Sequence, residues 1–583
     1  MEEIARGRTA IVLGMFAALF IALTVGSYTR ESATVDEPQH LTAGYTALRL
    51  HDYRIDPEQP PLLRLWAALP LLAMSDVKLD TNNAAWETAN GWDLSHQFLY
   101  ELNDADRLLY RARFMTVLLG IVLGVLLFCW ARELFGFWTA SAALALYCVE
   151  PNILANASLV TTDFGVVCFI FGAVYFLWRL GRKITIGNLA GLVVFFALAQ
   201  VSKFSAILLG PIVLLLLIAQ VLWGGPWQCE FVGAGELRTG RAKTLTVLAL
   251  VVGLALASYF AVWAAYDFHY GPMPPSTDLA QLRDNPQFLR QVRLVATVAN
   301  WLDEHHLLPD TYAQGFILSQ VKVQHRSAYF AGQYSRTGWW YYFPAAFAVK
   351  TPLTVLFLLL CGLALLVKER ARWKNDAWFM ALPPAVFLGA ALTVHLNIGV
   401  RHILPIYPFA LLIAGVTLEE IRARWHTIVL LVPVAFACIE LATVYPHCLA
   451  FFNQLIGGPR NGQWVLLDSN LDWGQDLKPL KRWMDAHHVK HINLSYFGTA
   501  DPAYYGIDCT HLIGAPSFDT AKIAAPQLPG YVAVSVQNLH GVRWDEPKRF
   551  YYAPLLERKP AAVIGYSIQV YWVETNWWYN PHP

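Results

Sequence analysis

The run ARFMTVLLGIVLGVLLFCW (112–130) has one charged residue, Arg113, in 19 positions. A helix needs about 20 predominantly apolar residues to cross the hydrocarbon core of a bilayer, so this run predicts a transmembrane helix. An earlier apolar run at about 9–28 follows MEEIARGR (1–8), and no small-residue cleavage site comes after it. We therefore interpret 9–28 as a retained first transmembrane helix rather than a signal peptide.

Runs of the same kind recur along most of the chain, and they number eleven in all. The other nine lie near 137–157, 162–179, 186–202, 204–223, 244–266, 342–366, 376–394, 402–418 and 427–444. Only Lys203 separates the run that ends at 202 from the run that begins at 204. The pattern predicts an α-helical polytopic membrane protein with about eleven transmembrane helices.

The composition excludes several classes of protein. Of 583 residues, 56% are apolar and 15% are charged, whereas ordinary soluble domains contain roughly 25% charged residues. The formal net charge of +1 argues against a nucleic-acid-binding protein, and the apolar content argues against intrinsic disorder. The eight cysteines lack CxxC spacing, so they predict neither a zinc site nor a disulfide framework. A disulfide between Cys448 and Cys509, both placed outside the membrane, stays open.

Basic residues in the short connections fall on one side of an eleven-span topology, and such residues favour the cytoplasm. They include Arg6, Arg8, Arg132, Arg179, Arg182, Lys183, Arg422 and Arg424. The N-terminus is therefore predicted in the cytoplasm, with outer segments at about 29–110, 267–340 and 446–583. Short alternating runs such as GYVAVSV (530–536) predict that the last segment is a small extracytoplasmic α/β domain. The preceding residues, 1–445, form the predicted transmembrane domain.

Carboxylates stand near the predicted outer ends of the spans, where burial of an ionisable group is costly. The motif TVDEPQH (34–40) places Asp36, Glu37 and His40 just after the first span. It fits either a solvated loop that stops a helix or a catalytic carboxylate at the membrane surface. Asp163 begins another span, where a carboxylate can cap the helix or face a site.

Two further segments next to the spans have two interpretations each. LHDYRIDPEQPPLLRLWAALPLL (50–72) is too short and, with Arg64, too charged to span easily. We interpret it as an amphipathic helix in the outer interface, either a membrane anchor or a lid over a lipid site. LDSNLDWGQD (467–476) contains three aspartates, which fit a structural turn or a loop that binds calcium or a sugar, although the spacing is not that of an EF-hand.

Cationic residues also lie near the outer side. Lys203 either snorkels or pairs with a phosphate, and Lys350 lies inside an apolar run. Arg336 precedes the aromatic residues 339–342, which are typical of an interface belt. NIGVRHILPIYPF (397–409) places Arg401 and His402 in a short outer turn, where the forked donors of arginine suit phosphate oxygens. No Walker loop, HExxH or Ser-His-Asp ordering is visible, so the activated substrate is expected to arrive through the membrane.

These segments resemble the membrane glycosyltransferases of the C-type fold. The likeness is greatest to family 39, the dolichyl-phosphate-mannose protein mannosyltransferases, and to the bacterial lipid A aminoarabinose transferases. It is carried by Asp36-Glu37 after the first helix and by DPEQPPL (56–62), PNILANASLVTTD (151–163), NIGVRHILPIYPF (397–409) and LLDSNLDWGQDLKPLKRW (466–483). Asn156 departs from the histidine expected in PNILAHAS, which removes any inherited role for that position.

The resemblance implies sugar transfer from a polyprenyl-phosphate carrier to a protein, lipid or polysaccharide acceptor outside the bacterial cytoplasmic (inner) membrane. It implies a single inverting displacement with Asp36 as general base, while Glu37 orients the acceptor or tunes Asp36. The substrate-binding candidates are His40, Asp163, Lys203, Arg336, Lys350, Arg401 and His402. A divalent metal near the acidic residues stays open, and no other cofactor is implied. The alternative is a non-catalytic flippase or binder of lipid-linked sugars that uses the same cations.

Overall fold

The computed structural model describes residues 2–231, 235–271, 292–324, 326–373, 375–514, 522–575 and 577. Most of these residues are helical. The predicted outer segments 267–340 and 446–583 each include residues outside this described set.

The helices in the first half of the chain are α1 (Glu2–Tyr28), α2 (Glu37–Leu50), α3 (Leu62–Ala68), α4 (Ala84–Glu87), α5 (Gly91–His96), α6 (Ala105–Phe135), α7 (Phe137–Cys148), α8 (Pro151–Ala157), α9 (Thr162–Arg182), α10 (Ile186–Gln200), α11 (Leu209–Trp223) and α12 (Gly240–Ala265). Those described after them are α13 (Arg293–Glu304), α14 (Asp310–Gln324), α15 (Tyr342–Lys350), α16 (Leu353–Lys368), α17 (Asp376–Ala391), α18 (Ile406–Arg424), α19 (Leu431–Ala442), α20 (Leu477–Ala486), α21 (Val536–Leu539) and α22 (Ala553–Leu556). Short 3-10 helices include Phe204–Leu208, before α11, and Val400–Ile403, before α18.

Within the described residues, five helices are long and apolar enough to cross a membrane. They are Arg6–Tyr28, Ala105–Phe135, Thr162–Arg182, Phe204–Trp223 and Gly240–Ala265. A sixth span results if α15 and α16, which meet at a bend of 118°, are taken as one. The multi-pass character predicted from the sequence agrees with this arrangement. Of the other predicted runs, 137–157, 186–202, 376–394 and 427–444 include shorter apolar helices, and 402–418 lies largely in α18, so the number eleven stays a prediction.

Two predicted spans are broken by proline. The run 137–157 divides into α7 and α8 because Pro151 opens a new helix, capped by the Glu150 carboxylate that accepts from the Ile153 amide at 2.6 Å. The run 342–366 divides at Pro352. The Glu440 carboxylate of α19 then accepts a hydrogen bond from the Leu353 amide at 2.6 Å. This bond satisfies one of the N–H groups at the start of α16 that have no partner within the helix.

The membrane helices differ in how deeply they are packed. Almost every residue of α9 is buried, and so is nearly all of α18 down to its last turn. Burial on all sides places these two helices at the centre of the bundle. In α12, by contrast, most side chains are exposed, as expected of a helix that faces lipid. The residues at the N-terminal ends of α9 and α18 are therefore supported by densely packed helices.

The strands form three small sheets, of which the largest lies in the C-terminal residues. Its order is β7-β6-β8-β10-β9, with β6 (Ile492–Ser495), β7 (Cys509–His511), β8 (Gly530–Ser535), β9 (Ala562–Ile564) and β10 (Ile568–Val573). The strands β7, β6 and β8 are parallel, whereas β10 runs antiparallel to both β8 and β9. The other strands are β1 (Lys183–Ile184), β2 (Trp227–Cys229), β3 (Glu236–Leu237), β4 (Ala328–Phe330) and β5 (Gln333–Ser335).

The C-terminal residues are hydrogen-bonded to the loop that follows α1. The Ser32 amide donates to the Gln475 carbonyl at 2.9 Å, and the Val35 amide donates to the Trp473 carbonyl at 2.9 Å. The Thr499 hydroxyl also donates to the Val35 carbonyl at 2.8 Å. The backbone that precedes Asp36 is therefore fixed by residues of the C-terminal region. Cys448 and Cys509, which both belong to the described residues, are not joined by a disulfide.

Candidate active site

Four helix ends and turns bring charged side chains together. Asp36 precedes α2, and Asp163 lies in the first turn of α9. Lys203 joins α10 to the 3-10 helix before α11, and Arg401 lies in the short 3-10 helix before α18. Because each residue stands where an element begins, its backbone is held by a helix while its side chain is free to point into the space between them. We call these four residues the Asp36 cluster.

Arg401 connects the two carboxylates of the cluster. Its Nη1 lies 3.0 Å from Asp36 Oδ2 and 3.4 Å from Asp163 Oδ2. Lys203 Nζ forms an ion pair with the other oxygen of Asp163. The Arg401 guanidinium also stacks on the Trp473 ring, with 4.0 Å from Cζ to the ring centroid. The arrangement is a chain of alternating charges that starts at Asp36 and ends at Lys203.

The two carboxylates differ in access. The Asp163 side chain is 2% exposed, whereas the Asp36 side chain is 27% exposed. No hydrogen-bond partner for Asp36 Oδ1 occurs in the described part of the chain. Burial would raise the pKa of the Asp36 carboxyl, but the positive charge of Arg401 holds it below its usual value of 3.8. Asp36 is therefore an accessible, ionised carboxylate with one oxygen left to accept a proton.

Two buried side-chain nitrogens beside the cluster lack a hydrogen-bond partner among the described residues. These nitrogens are Arg401 Nε and His402 Nε2. Buried polar nitrogens of this kind are costly unless a further group satisfies them. Both nitrogens therefore favour a polar ligand next to the cluster.

The segment 467–476 positions the turn that carries Arg401. The Ser469 hydroxyl donates to the Ile398 carbonyl at 3.0 Å, and the Val400 amide donates to the Asn470 side chain at 2.9 Å. A Cβ on Gly399 would come 2.1 Å from the Ser469 hydroxyl oxygen, so only glycine permits this approach. These contacts support the structural interpretation of the segment.

The aspartates of that segment are mostly committed to the backbone. Asp472 is fully buried and accepts from the Gln537 amide at 3.1 Å and from the Gly474 amide at 3.3 Å. Asp476, also fully buried, accepts from the Ser567 hydroxyl at 2.7 Å. Side chains engaged in this way stabilise the connection between the segment and the sheet.

Glu37 has a different surrounding from its neighbour Asp36. Its side chain is 0% exposed, and its two oxygens receive Arg113 Nε at 2.8 Å and Arg113 Nη2 at 2.6 Å. The amides of Thr34 and Val160 donate to the same carboxylate at 2.8 and 3.0 Å. Arg113 also donates to the Tyr28 carbonyl at 2.9 Å. Glu37 therefore fixes the loop that carries Asp36 and has no oxygen left for a substrate.

His40 belongs to a second charged group beside the cluster. His40 Nδ1 lies 2.7 Å from Asp56 Oδ2, and Arg64 Nη1 lies 2.8 Å from the same oxygen. The Arg64 side chain is 4% exposed. Its charge therefore points into the protein, and not into the membrane interface predicted for segment 50–72. Burial would lower the pKa of His40, but the Asp56 carboxylate raises it above 6.5. A protonated His40 in turn helps to keep Asp36 ionised.

The pair of His40 and Asp56 predicts a pH-dependent stability. A histidine whose pKa is raised on folding stabilises fully below its unfolded pKa of about 6.5, and this is lost as the pH rises through the folded pKa. Replacement His40→Gln is expected to cost about 1 kcal/mol at pH 6 and less at pH 9. Thermal unfolding of both proteins across this range measures the difference. The exposed His488 supplies the control, and an equal pH dependence for His488→Gln would contradict the prediction.

Two predicted cations lie outside the cluster. Arg336 pairs with Asp545, and both side chains are 71% exposed. Lys350 is 1% exposed, and its ammonium donates to the carbonyls of Leu449 at 2.8 Å and Asn470 at 2.6 Å. The structure therefore joins Asp36, Asp163, Lys203 and Arg401, with His40 and His402 beside them, but it does not bring Arg336 or Lys350 to the same place.

Some residues of the site were missed by the sequence reasoning. Arg113 was counted only as a charge within an apolar run, although a lone arginine in a transmembrane helix is itself a signal of a buried partner. The role of Trp473 as the platform under Arg401 had no signal in the sequence. Asn156 is buried, and its side chain donates to the Asn152 carbonyl at 2.8 Å, one turn earlier in α8.

The donor set does not fit a divalent metal in the present arrangement. The described residues contain no group of three or more His, Cys, Asp or Glu side chains that could hold one. Asp36 and Asp163 both direct an oxygen at Arg401. A cation already lies between the two carboxylates, and it is a guanidinium.

Comparison with known proteins supports the resemblance. Residues 105–263 match the model of the dolichyl-phosphate-mannose-protein mannosyltransferase family. This stretch begins with α6 and includes α9, so it contains both Arg113 and Asp163. The predicted likeness to C-type membrane glycosyltransferases is confirmed by this match. No curated protein sequence matches the chain.

Several solved structures of membrane glycosyltransferases are similar to this chain at low sequence identity. The S. cerevisiae protein O-mannosyltransferase Pmt1-Pmt2 complex shares 14% identity over 46% of this chain and 35% of that chain, with a TM-score of 0.35. The archaeal oligosaccharyltransferase AglB from Archaeoglobus fulgidus shares 13% sequence identity over 91% of this chain and 69% of that chain, with a TM-score of 0.43. ArnT from Cupriavidus metallidurans shares 12% sequence identity over 97% of this chain and 98% of that chain, with a TM-score of 0.31. The chain thus spans about a third of the yeast protein's length.

Proposed function

We propose that the protein is a membrane glycosyltransferase that uses a polyprenyl-phosphate-linked sugar as donor. The observation that carries this proposal is the accessible, ionised Asp36 held 3.0 Å from Arg401, beside donors that are not yet satisfied. A base and a phosphate-binding cation side by side are the two groups that transfer from a sugar phosphate needs. The match of residues 105–263 to a mannosyltransferase family supports the same reaction class.

In the proposed reaction, Asp36 Oδ1 takes the proton from the acceptor's hydroxyl or amino group. The lone pair of that group forms a bond to the anomeric carbon while the bond from this carbon to the carrier phosphate breaks. The bonding electrons leave with the phosphate, and the centre is inverted because attack and departure occur on opposite faces. The released phosphate is already acidic, so it needs positive charge more than a proton.

Arg401 and Lys203 are the cations that we propose for the phosphate. The free Nε of Arg401 offers a donor in addition to the one shared by the carboxylates. Asp163, which is 2% exposed and paired with both cations, holds them in position. We propose that Glu37 acts indirectly, by fixing the loop that presents Asp36.

We propose that the reaction occurs outside the cytoplasm. The cluster lies at the end of α9 opposite Arg179 and Arg182, and basic residues favour the cytoplasmic ends of spans. A bacterial inner-membrane location, a cytoplasmic N-terminus, about eleven spans and a separate extracytoplasmic domain at 446–583 are parts of the same proposal. The acceptor is a protein, a lipid or a polysaccharide.

Sugar transfer by the full chain in proteoliposomes tests the proposed function. Radiolabelled undecaprenyl-phosphate mannose, glucose and aminoarabinose are supplied as donors with a bacterial envelope extract as the source of acceptor. Wild-type protein is expected to transfer label from one of them. If the wild-type protein binds these lipids but transfers no label, the result would favour a non-catalytic flippase or binder of lipid-linked sugars.

Arg401→Ala is expected to lower transfer about 10²- to 10³-fold, because it removes a preorganised donor to the developing phosphate charge. Arg336→Ala removes the same side chain from an exposed position and is expected to leave the rate unchanged. Rates of transfer at saturating donor measure both effects. Equal losses in the two variants would refute the assignment of the phosphate to the Asp36 cluster.

A further inference from the structure

The Asp36 cluster has no net charge. Lys203 and Arg401 contribute two positive charges, while Asp36 and Asp163 contribute two negative charges, and all four groups are paired with one another. A phosphate that enters this space adds at least one negative charge. Coulomb repulsion from Asp36 then offsets part of the attraction to Arg401. A further cation beside these four groups would therefore strengthen the binding of a phosphate.

Arg543, in the C-terminal region, lies close to this site. Its guanidinium carbon is 4.8 Å from the centroid of the Phe497 ring. Phe497 is buried, and two residues further on the Thr499 hydroxyl donates to the Val35 carbonyl at 2.8 Å. Val35 immediately precedes Asp36. The surface that supports Arg543 is therefore fixed to the same loop that carries the proposed base.

Four charged groups act electrostatically on Arg543, namely Asp36 and Arg401 of the Asp36 cluster together with Asp468 and Arg326. The Arg543 side chain is exposed to solvent. Among the described residues, no hydrogen bond and no ion pair engages its guanidinium. It is thus a cation next to the cluster whose donors are open to a ligand.

Arg549, in the same segment, shows what a purely structural arginine looks like. It also lies over an aromatic ring, that of Tyr334, at 4.4 Å. Its Nε donates to the Trp544 carbonyl at 3.1 Å, and its Nη1 lies 3.5 Å from the Glu546 carboxylate. Its side chain is 16% exposed. Arg543 has the aromatic support but lacks these partners.

We propose that Arg543 is a binding residue for the phosphate of the lipid carrier, so that the C-terminal region completes the donor site. The inference rests on the proposed function and adds a residue to it. Planar forked donors suit the oxygens of a phosphate, and stacking on Phe497 pre-orients the guanidinium before the ligand arrives. With Arg543 included, the group of side chains around the phosphate has an excess of positive charge.

Binding of undecaprenyl phosphate to the full chain in nanodiscs tests the inference. Arg543→Ala is expected to raise the Kd about 10- to 100-fold, the loss typical of a hydrogen bond between charged groups. Arg543→Lys keeps the charge and is expected to show a smaller increase. Arg549→Ala is the matched control and is expected to leave the Kd unchanged. Equal Kd values for wild type and Arg543→Ala, at equal thermal stability, would overturn the inference.

Two further measurements separate the possible failures. An increase only in the KM for the acceptor, with an unchanged Kd for undecaprenyl phosphate, would mean that Arg543 binds an anion of the acceptor, and it would overturn the assignment to the carrier. Asp36→Asn is expected to keep undecaprenyl phosphate binding and lose transfer. If the wild type binds this lipid through Arg543 but transfers no sugar, the proposed function fails and the phosphate site stands.

Discussion

Asp36→Asn is expected to reduce sugar transfer about 10²- to 10⁴-fold, the contribution typical of a positioned general base. An amide has nearly the same shape as the carboxylate and can still accept a hydrogen bond from Arg401 Nη1, which lies 3.0 Å away in the wild type. It cannot take a proton from the acceptor. The loss is therefore expected in kcat, while undecaprenyl phosphate is expected to bind at least as tightly, because the negative charge of Asp36 no longer repels its phosphate.

The rate of transfer at saturating donor measures this effect, and Asp76→Asn supplies the control. Asp76 is an exposed carboxylate of the first outer segment that is also paired with an arginine, Arg107. Its replacement removes the same charge without touching the cluster. Because Arg401 outweighs the effect of burial and holds the pKa of Asp36 below its usual value, the base is expected to stay ionised at neutral pH. Full activity of Asp36→Asn would refute its role as the base.

Glu37→Ala is expected to destabilise the protein by about 3–5 kcal/mol, because it leaves an uncompensated buried charge. Arg113 is 1% exposed and lies in the longest apolar span. Without Glu37, its guanidinium keeps only the carbonyls of Tyr28 and Ser32, both at 2.9 Å. The loop before α2 would then lose its anchor. Thermal unfolding in detergent, followed by circular dichroism, measures the change.

A double variant separates charge burial from packing. Glu37→Leu combined with Arg113→Met replaces both charges by apolar side chains of similar volume. Substitutions of this kind at buried ion pairs are often neutral or stabilising. The double variant is therefore expected to recover most of the stability that Glu37→Ala loses. Equal instability of both proteins would show that the loop depends on the hydrogen bonds to Thr34 and Val160 instead of on the ion pair.

The residues of the Asp36 cluster could be predicted from the sequence because they share a position. Asp36, Asp163, Lys203 and Arg401 each stand at the outer end of an apolar run, so a bundle of spans must bring them to one level of the membrane. The hydropathy pattern indicates how deep each residue lies in the membrane, but it does not indicate which spans lie next to one another. Lys350 occupies a similar level, yet its donors bind carbonyls of residues 449 and 470, about 100 positions later in the chain.

Adjacent carboxylates could not be distinguished in this way. Asp36 and Glu37 have the same charge and the same neighbours in sequence, but α2 begins between them and turns their side chains in different directions. Glu37 meets Arg113 from another helix, whereas Asp36 meets the turn before α18.

The helix breaks inside two of the apolar runs could not be predicted from hydropathy either. Pro151 and Pro352 lie within apolar runs, where a sum of hydropathy has the same value for a straight helix and for two short ones.

The hydrogen bonds between the loop before Asp36 and the C-terminal region have a consequence for biosynthesis. The Ser32 hydroxyl and the Gly474 carbonyl that it contacts are 442 residues apart. A ribosome that adds about 5–20 residues per second needs roughly 20 to 90 s to cover this distance. During that interval the nascent chain already carries Asp36, and the loop has its contacts through Glu37 and Arg113 but lacks the hydrogen bonds from the C-terminal region. The complete set of contacts around Asp36 therefore forms only after the last quarter of the chain has been synthesised.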